Sequence, residues 1–245
     1  MYLFCEEKDC KEKAAVIADR LNIELRDRGD DDIHLSYNEK GLSLKGGSLT
    51  FRGDFSAMSA RLRQSNLEHE MLVKAARLKD HKDVPRLLDA TAGMGEDSLI
   101  LAASGFLVDM YEQNEIIAEL LRDAMERALT DPMLKDIVSR MTLHVGDSIK
   151  AMEEGATADV ILLDPMFPER SKSGLIKKKF QLLQKLESPC NNGNELLDAA
   201  IKACPKKIVI KRPAKGEKLG NIKVDYSYSG KAIRYDCIVN SINRI

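Results

Sequence analysis

The chain has 245 residues, 44% of them apolar, with 38 basic side chains set against 39 acidic ones. That is enough for a full buried core, built as one large domain or as one domain with an appendage. A net charge of −1 excludes polyanion binding by bulk charge, so any basic surface has to be local. The five cysteines, Cys5, Cys10, Cys190, Cys204 and Cys237, are scattered, odd in number and never spaced Cys-x-x-Cys. Neither a disulfide framework nor a zinc site is expected from them, and the four histidines add no metal cluster. No basic leader opens the chain and no apolar run reaches membrane-spanning length. A soluble cytoplasmic protein with reduced thiols, and with neither metal nor membrane partner, is the expectation.

Residues 1–80 read as a small N-terminal α+β region. Tyr2-Leu3-Phe4 suits a strand, and Lys11 to Leu21 suits a helix with Ala14, Ala15, Ile17 and Ala18 inward. Ile33 to Tyr37, Gly41 to Leu44 and Leu49 to Arg52 alternate apolar and polar residues with glycines between them, the period of antiparallel strands joined by tight turns. Asp27 to Asp32 is a charged turn. From Met58 to Leu78 the pattern becomes helical and carries Arg61 and Arg63. The polar run Lys79 to Asp83 sets the boundary with a second domain, residues 81–245.

That domain alternates strand and helix. Val84 to Leu88 is a short apolar run, followed by Asp89-Ala90-Thr91-Ala92-Gly93-Met94-Gly95-Glu96-Asp97 and a helical stretch ending at Gly105. A strand, a glycine turn and a helix form the front half of a nucleotide-binding unit, because glycines let the backbone approach a ligand and the helix start offers unpaired N–H groups. Such turns serve dinucleotides, flavins and S-adenosylmethionine alike. Further strands are expected at Phe106 to Tyr111, Met141 to Val145, Val160 to Leu163 and Ile208 to Ile210, with helices at Ile116 to Leu129, Leu175 to Leu186 and Asn194 to Ala203. In the Ile116 helix, Ile117, Leu120, Leu121, Ala124 and Leu129 fall on one side. Val160 to Leu163 is apolar throughout, as in a central strand covered on both faces. Ile222 to Tyr228 and Ile233 to Val239 read as a closing hairpin. The whole is an α/β fold: a mostly parallel Rossmann-like sheet with a terminal antiparallel hairpin, the class I methyltransferase arrangement.

Ligands in such sheets bind beyond the carboxyl ends of the strands. Asp89 ends the first strand and suits a cationic or hydroxyl-bearing ligand. Glu112 follows the glycine turn by about twenty residues, where a carboxylate accepts ribose hydroxyls. Asp147 and Ser148, ending the third strand, suit an adenine. Asp164-Pro165-Met166-Phe167-Pro168 has the Asp-Pro-x-aromatic form of loops that methylate amines on bases or amides. An exocyclic amine is a weak nucleophile, its lone pair being delocalised into the ring. Asp164 and the Pro165 carbonyl would accept its two N–H bonds, and Phe167 would stack on the base.

Together, the 89–97 turn, Leu163 to Pro168, Lys177-Lys178-Lys179 and Val209-Ile210-Lys211-Arg212-Pro213 closely resemble the bacterial ribosomal RNA small subunit methyltransferase J family, from about Phe55 onward. The resemblance implies methyl transfer from S-adenosylmethionine to the 2-amino group of one guanosine near the 3′ end of 16S rRNA. It also implies cofactor contacts, direct or close by, from Glu96, Asp97, Glu112, Gln113, Asp147, Ser148 and Asp164, alongside Gly93 and Gly95 of the turn. Arg170, Lys172, Lys177, Lys178, Lys179 and Lys185 form one basic run, and Lys202, Lys206, Lys207, Lys211, Arg212, Lys215 and Lys218 a second. With Arg61 and Arg63, these runs are the expected contacts to 16S rRNA or the 30S subunit. Two other classes stay open on the residues alone: an NAD-dependent oxidoreductase, and a non-catalytic RNA-binding or ribosome-assembly protein on the same fold.

Overall fold

The computed structural model describes residues 1–79, 82–165, 182, 183, 185, 186 and 192–240. Twelve strands among them form two sheets. In the smaller, β1 (Tyr2–Cys5) lies parallel to both β2 (Glu24–Arg26) and β3 (His34–Asn38). The antiparallel strands β4 (Gly41–Gly46) and β5 (Leu49–Phe51) complete the order β2-β1-β3-β4-β5. Strand β2 was not expected, because Glu24-Leu25-Arg26 at a sheet edge shows one apolar residue and no run. Helix α1 (Lys11–Arg20) buries Ala14, Ile17 and Ala18, whereas Ala15 is exposed, contrary to the sequence reading.

The larger sheet contains β6 (Arg86–Asp89), β7 (Leu107–Glu112), β8 (Met141–Val145), β9 (Val160–Leu163), β10 (Lys207–Pro213), β11 (Tyr226–Ser229) and β12 (Ile233–Val239), in the order β11-β12-β10-β9-β6-β7-β8. Strands β6 to β10 pair in parallel, and β12 runs antiparallel to both β10 and β11. The order reverses between β6 and β9, which opens a crevice at their carboxyl ends. Strand β9 shows why this sheet is central. Val160 and Leu162 face one core with Leu87 and Val209, while Ile161 and Leu163 face another with Leu88, Ile208 and Ile210. All four β9 residues are buried, so both faces are covered.

The first face is covered by α4 (Glu96–Ala103) and by residues 55–76, which break into a 3-10 turn (Phe55–Met58), α2 (Gln64–Leu67) and α3 (Met71–Ala76) rather than one helix. Arg63 and Glu70 adopt extended backbone there, and the Arg61 guanidinium forks onto Glu70 at 2.5 and 2.9 Å, folding the segment back on itself. Phe55, Met58, Leu67, Leu72 and Val73 thus share a core with the large sheet, although they precede the division expected near residue 80. The carbonyls at the end of α3 are met from far along the chain: Lys207 Nζ donates to Ala75 O at 3.0 Å and to Arg77 O at 2.5 Å. The short α6 (Lys135–Val138) adds Val138 to the first core, and the second face carries α7 (Ser148–Glu153) and α8 (Gly193–Lys202).

Helix α5 (Glu115–Ala128) joins the two sheets. Ile117 and Leu120 pack into the small-sheet core and Leu121 and Ala128 into the large-sheet core. Leu129, expected inward, is 43% exposed because the helix ends before it. Two acids of α5 are buried with arginines. Glu119 takes Arg20 at 2.6 Å and Arg122 at 3.3 Å, and Asp123 takes Arg127 at 2.8 Å. Arg127 also donates to Gly53 O at 2.5 Å. Among the described residues, no helix is long and apolar enough to cross a membrane.

Candidate active site

The crevice is assembled from four strand ends. After β6 the chain turns through Gly93 (φ +53°) and Gly95 (φ +73°), left-handed conformations that favour glycine. A Cβ on Gly95 would lie 2.8 Å from Leu121 Cδ1, so this glycine also lets α4 start against α5. At Gly93 nothing lies within 4 Å of that position, so the turn presents open space beside its backbone. Gly93 N donates to Glu112 Oε2 at 2.9 Å, while Glu112 Oε1 takes Asn114 N at 2.8 Å. The carboxylate ending β7 therefore holds the glycine turn. Burial raises its pKa, and the backbone donors oppose that rise.

Asp89 has a different place from the one expected. It is 2% exposed, and its oxygens are taken by Ser98 Oγ at 2.6 Å and Thr91 N at 3.1 Å. Burial pushes its carboxyl up to about 7 against those bonds. It ties β6 to α4 and is not presented to a ligand. Thr91, which the sequence did not single out, accepts from Asp164 N at 2.8 Å and so ties the turn to the end of β9. Asp147 caps α7 by accepting from Ile149 N at 2.9 Å, with Ser148 buried behind it. Glu96 and Gln113 are exposed. His144 is stacked on Tyr111 and lies 3.0 Å from Asp109 Oδ1 on the outer strands.

The charged centre is formed by Asp97, Asp164 and Lys211. Lys211 Nζ lies 2.6 Å from Asp97 Oδ2 and 2.9 Å from Asp164 Oδ2. Burial raises the Asp164 pKa and Lys211 offsets part of the rise. Burial would depress Lys211, but the two carboxylates outweigh it and hold the ammonium firmly charged. Pro165 is buried directly behind Asp164. Phe167, Lys172, Lys177, Lys178 and Lys179, and most of the helix expected at Leu175 to Leu186, lie outside the described residues.

The second basic run, expected to contact rRNA, is divided among different surroundings. Lys206 pairs with Asp159 at 2.7 Å and Lys207 is buried under α3. Lys211 is in the crevice, and Arg212 is 5% exposed with Nε donating to Glu217 O at 2.8 Å. Lys202, Lys215 and Lys218 are exposed, as are Arg61 and Arg63. A strand alternates the direction of its side chains, so four basic residues within Lys206 to Arg212 point in different directions.

The model of the family described as "Putative SAM-dependent methyltransferase" matches residues 17–240. Ribosomal RNA small subunit methyltransferase J of Thioalkalivibrio sulfidiphilus is 35% identical over 95% of this chain and 94% of its own. The chain belongs to the ribosomal RNA small subunit methyltransferase J family. The Pseudomonas aeruginosa member is 36% identical over 93% of this chain and 90% of its own. A crystal structure of a SAM-dependent methyltransferase from Neisseria gonorrhoeae superimposes with a TM-score of 0.75 at 26% identity, over 98% of this chain and 96% of that one. Family membership removes the oxidoreductase reading, and the cofactor is S-adenosylmethionine. The residues fit it: open space at Gly93, a carboxylate at the end of β7, and more acid than base at the strand ends for a ligand carrying an ammonium and a sulfonium.

Proposed function

We propose that this protein is a cytoplasmic enzyme that methylates the 2-amino group of a guanosine near the 3′ end of 16S rRNA, in the naked RNA or in the 30S subunit. Support comes from the substrate in the relatives' name and from the placement of one carboxylate. Asp164 stands at the carboxyl end of the central strand, its backbone held by Thr91 Oγ1 and one oxygen by Lys211. That placement carries the reading.

S-adenosylmethionine supplies an electrophilic methyl group on a positively charged sulfur. Glu112 and the Gly93 turn would hold the ribose and the backbone-facing side of the cofactor, with Asp147 and Ser148 near the adenine. Asp164 would accept a hydrogen bond from the amine, favouring a pyramidal nitrogen whose lone pair is free to attack. On transfer the nitrogen–carbon bond would form as the carbon–sulfur bond breaks, with the electron pair left on sulfur. The surplus proton leaves the nitrogen toward Asp164 and then to water. Positioning and a fixed charge suffice for such a transfer. Phe167 would stack on the base, and Lys172, Lys177, Lys178 and Lys179 would contact phosphates, joined by Arg61 and Arg63.

Radiolabelled methyl transfer to small-subunit particles lacking the modification, followed by nucleoside analysis, tests this. N2-methylguanosine is the expected product. N6-methyladenosine would redirect the reading, and RNA binding without incorporation would make the protein a non-catalytic assembly factor.

A further inference from the structure

The register of the central strands brings Lys211 to Asp164. Strand β10 pairs with β9 in parallel, Ile210 opposite Leu163, so the next residue on each strand lies beside the other at the carboxyl end. Alternation puts Lys211 on the side of Val209 and Asp164 on the side of Leu162, and both of those pack in the core beneath α4. Asp97 stands in the first turn of α4 on that side. The ammonium thus closes between two carboxylates from two other elements, with 24% of its side chain exposed. A phosphate-binding lysine would instead extend into water.

We infer that Lys211 is a positioning residue for methyl transfer: it fixes Asp164 as a carboxylate through Oδ2, leaves Oδ1 to accept from the amine, and does not contact RNA phosphate. The inference rests on the reading of Asp164 given above. Other charged or titratable groups face this centre. Asp89 lies behind it on β6, Arg212 follows on β10, and Arg61 acts from the segment before α2. Tyr235 of β12 stands opposite Lys211 in register, buried and neutral, its hydroxyl raised by burial and then by Asp97. Lys211 Nζ holds Asp164 Oδ2 directly, at 2.9 Å.

The test is single-turnover methyl transfer at saturating cofactor and RNA, followed from pH 6 to 9.5 in three variants. Lys211→Met should lose roughly 10- to 100-fold at pH 7, the scale of one charge-assisted hydrogen bond. It should regain rate as pH rises, because Asp164 then ionises without help. Lys211→Arg should stay within a few-fold of the parent, and RNA affinity with its salt dependence should not change in either. A Lys211→Met pH profile parallel to the parent's overturns the inference, as does a loss confined to RNA affinity with a flattened salt slope. Should Lys211→Met fail to fold, Asp97→Asn decides. It leaves the ammonium to Asp164 alone and should move the acid limb of the profile to lower pH; an unmoved limb counts against Lys211. Asp164→Asn, run alongside, separates the two readings. A near-parent rate there defeats the site assignment itself, whereas an impaired Asp164→Asn with a parent-shaped Lys211→Met profile defeats only the role of Lys211.

Discussion

Two clusters of buried charge do opposite work in this molecule. On α5, two acids, Glu119 and Asp123, face three arginines, so no acid is left without a counter-charge. In the crevice, Asp97 from the first turn of α4 and Asp164 after β9 share a single lysine. The first cluster is matched and joins the small sheet to the large one. The second holds more acid than base at the crevice, a surplus that a cationic ligand would complete on the proposed reading. Arginine and lysine divide accordingly: the planar fork of Arg127 bridges Asp123 and a backbone carbonyl, while a compact ammonium fits between two carboxylates.

The largest effect should come from breaking the matched cluster. Arg127→Ala leaves Asp123, 3% exposed, without its partner, and should cost roughly 3–5 kcal/mol in urea unfolding. Cofactor affinity of the folded fraction should hold. A cost below about 1 kcal/mol would place this pair with ordinary surface bridges. Asp164→Asn should do the reverse, lowering the transfer rate by roughly two to three orders of magnitude with little change in the unfolding midpoint. Glu112→Ala should weaken S-adenosylmethionine binding by about 1–3 kcal/mol by calorimetry, and unchanged affinity would remove Glu112 from the site.

Asp89 supplies a smaller, pH-dependent test. Its folded pKa is raised, so its contribution to stability is full below the ordinary carboxylate value near 4. That contribution is lost as pH climbs to about 7, with no further loss above. Asp89→Asn should therefore flatten the stability profile between those limits and raise the melting temperature at pH 8. A parent-like slope in the variant would show that Asp89 is not the titrating group. The smallest effect concerns RNA. Because Lys211 is engaged by two carboxylates, phosphate contacts are assigned to other side chains. Replacing Lys177, Lys178 and Lys179 with glutamine should reduce the salt slope of RNA binding by about 2, at roughly 0.7 per phosphate contact on single strands. An unaltered slope would return that run to solvent.

The features legible in the sequence were those with a local cause. The unbroken apolar run of β9 marked the sheet centre, the glycines marked the turn, and Glu112 and Asp164 stood out as acids ending apolar runs. What escaped depended on partners distant in sequence. Lys211 looked like one more cation in a basic run until strand register set it beside Asp164. Asp89 looked like a ligand until Ser98, nine residues on, closed its free oxygen. The helix expected from Met58 to Leu78 broke because Arg61 grips Glu70, a pairing that helical spacing would have forbidden.

The lysine beneath α3 also bears on the order in which the chain becomes a protein. The carbonyls of Ala75 and Arg77 wait for Lys207, about 130 residues downstream. At a typical synthesis speed, that interval is on the order of ten seconds or more. During it, α3 has no β10 to lie on and no donor for its last turn, while the small-sheet strands β1 to β5 have already been made. The N-terminal sheet therefore has all its strands early, but the segment joining it to the large sheet is finished only once β10 has been made.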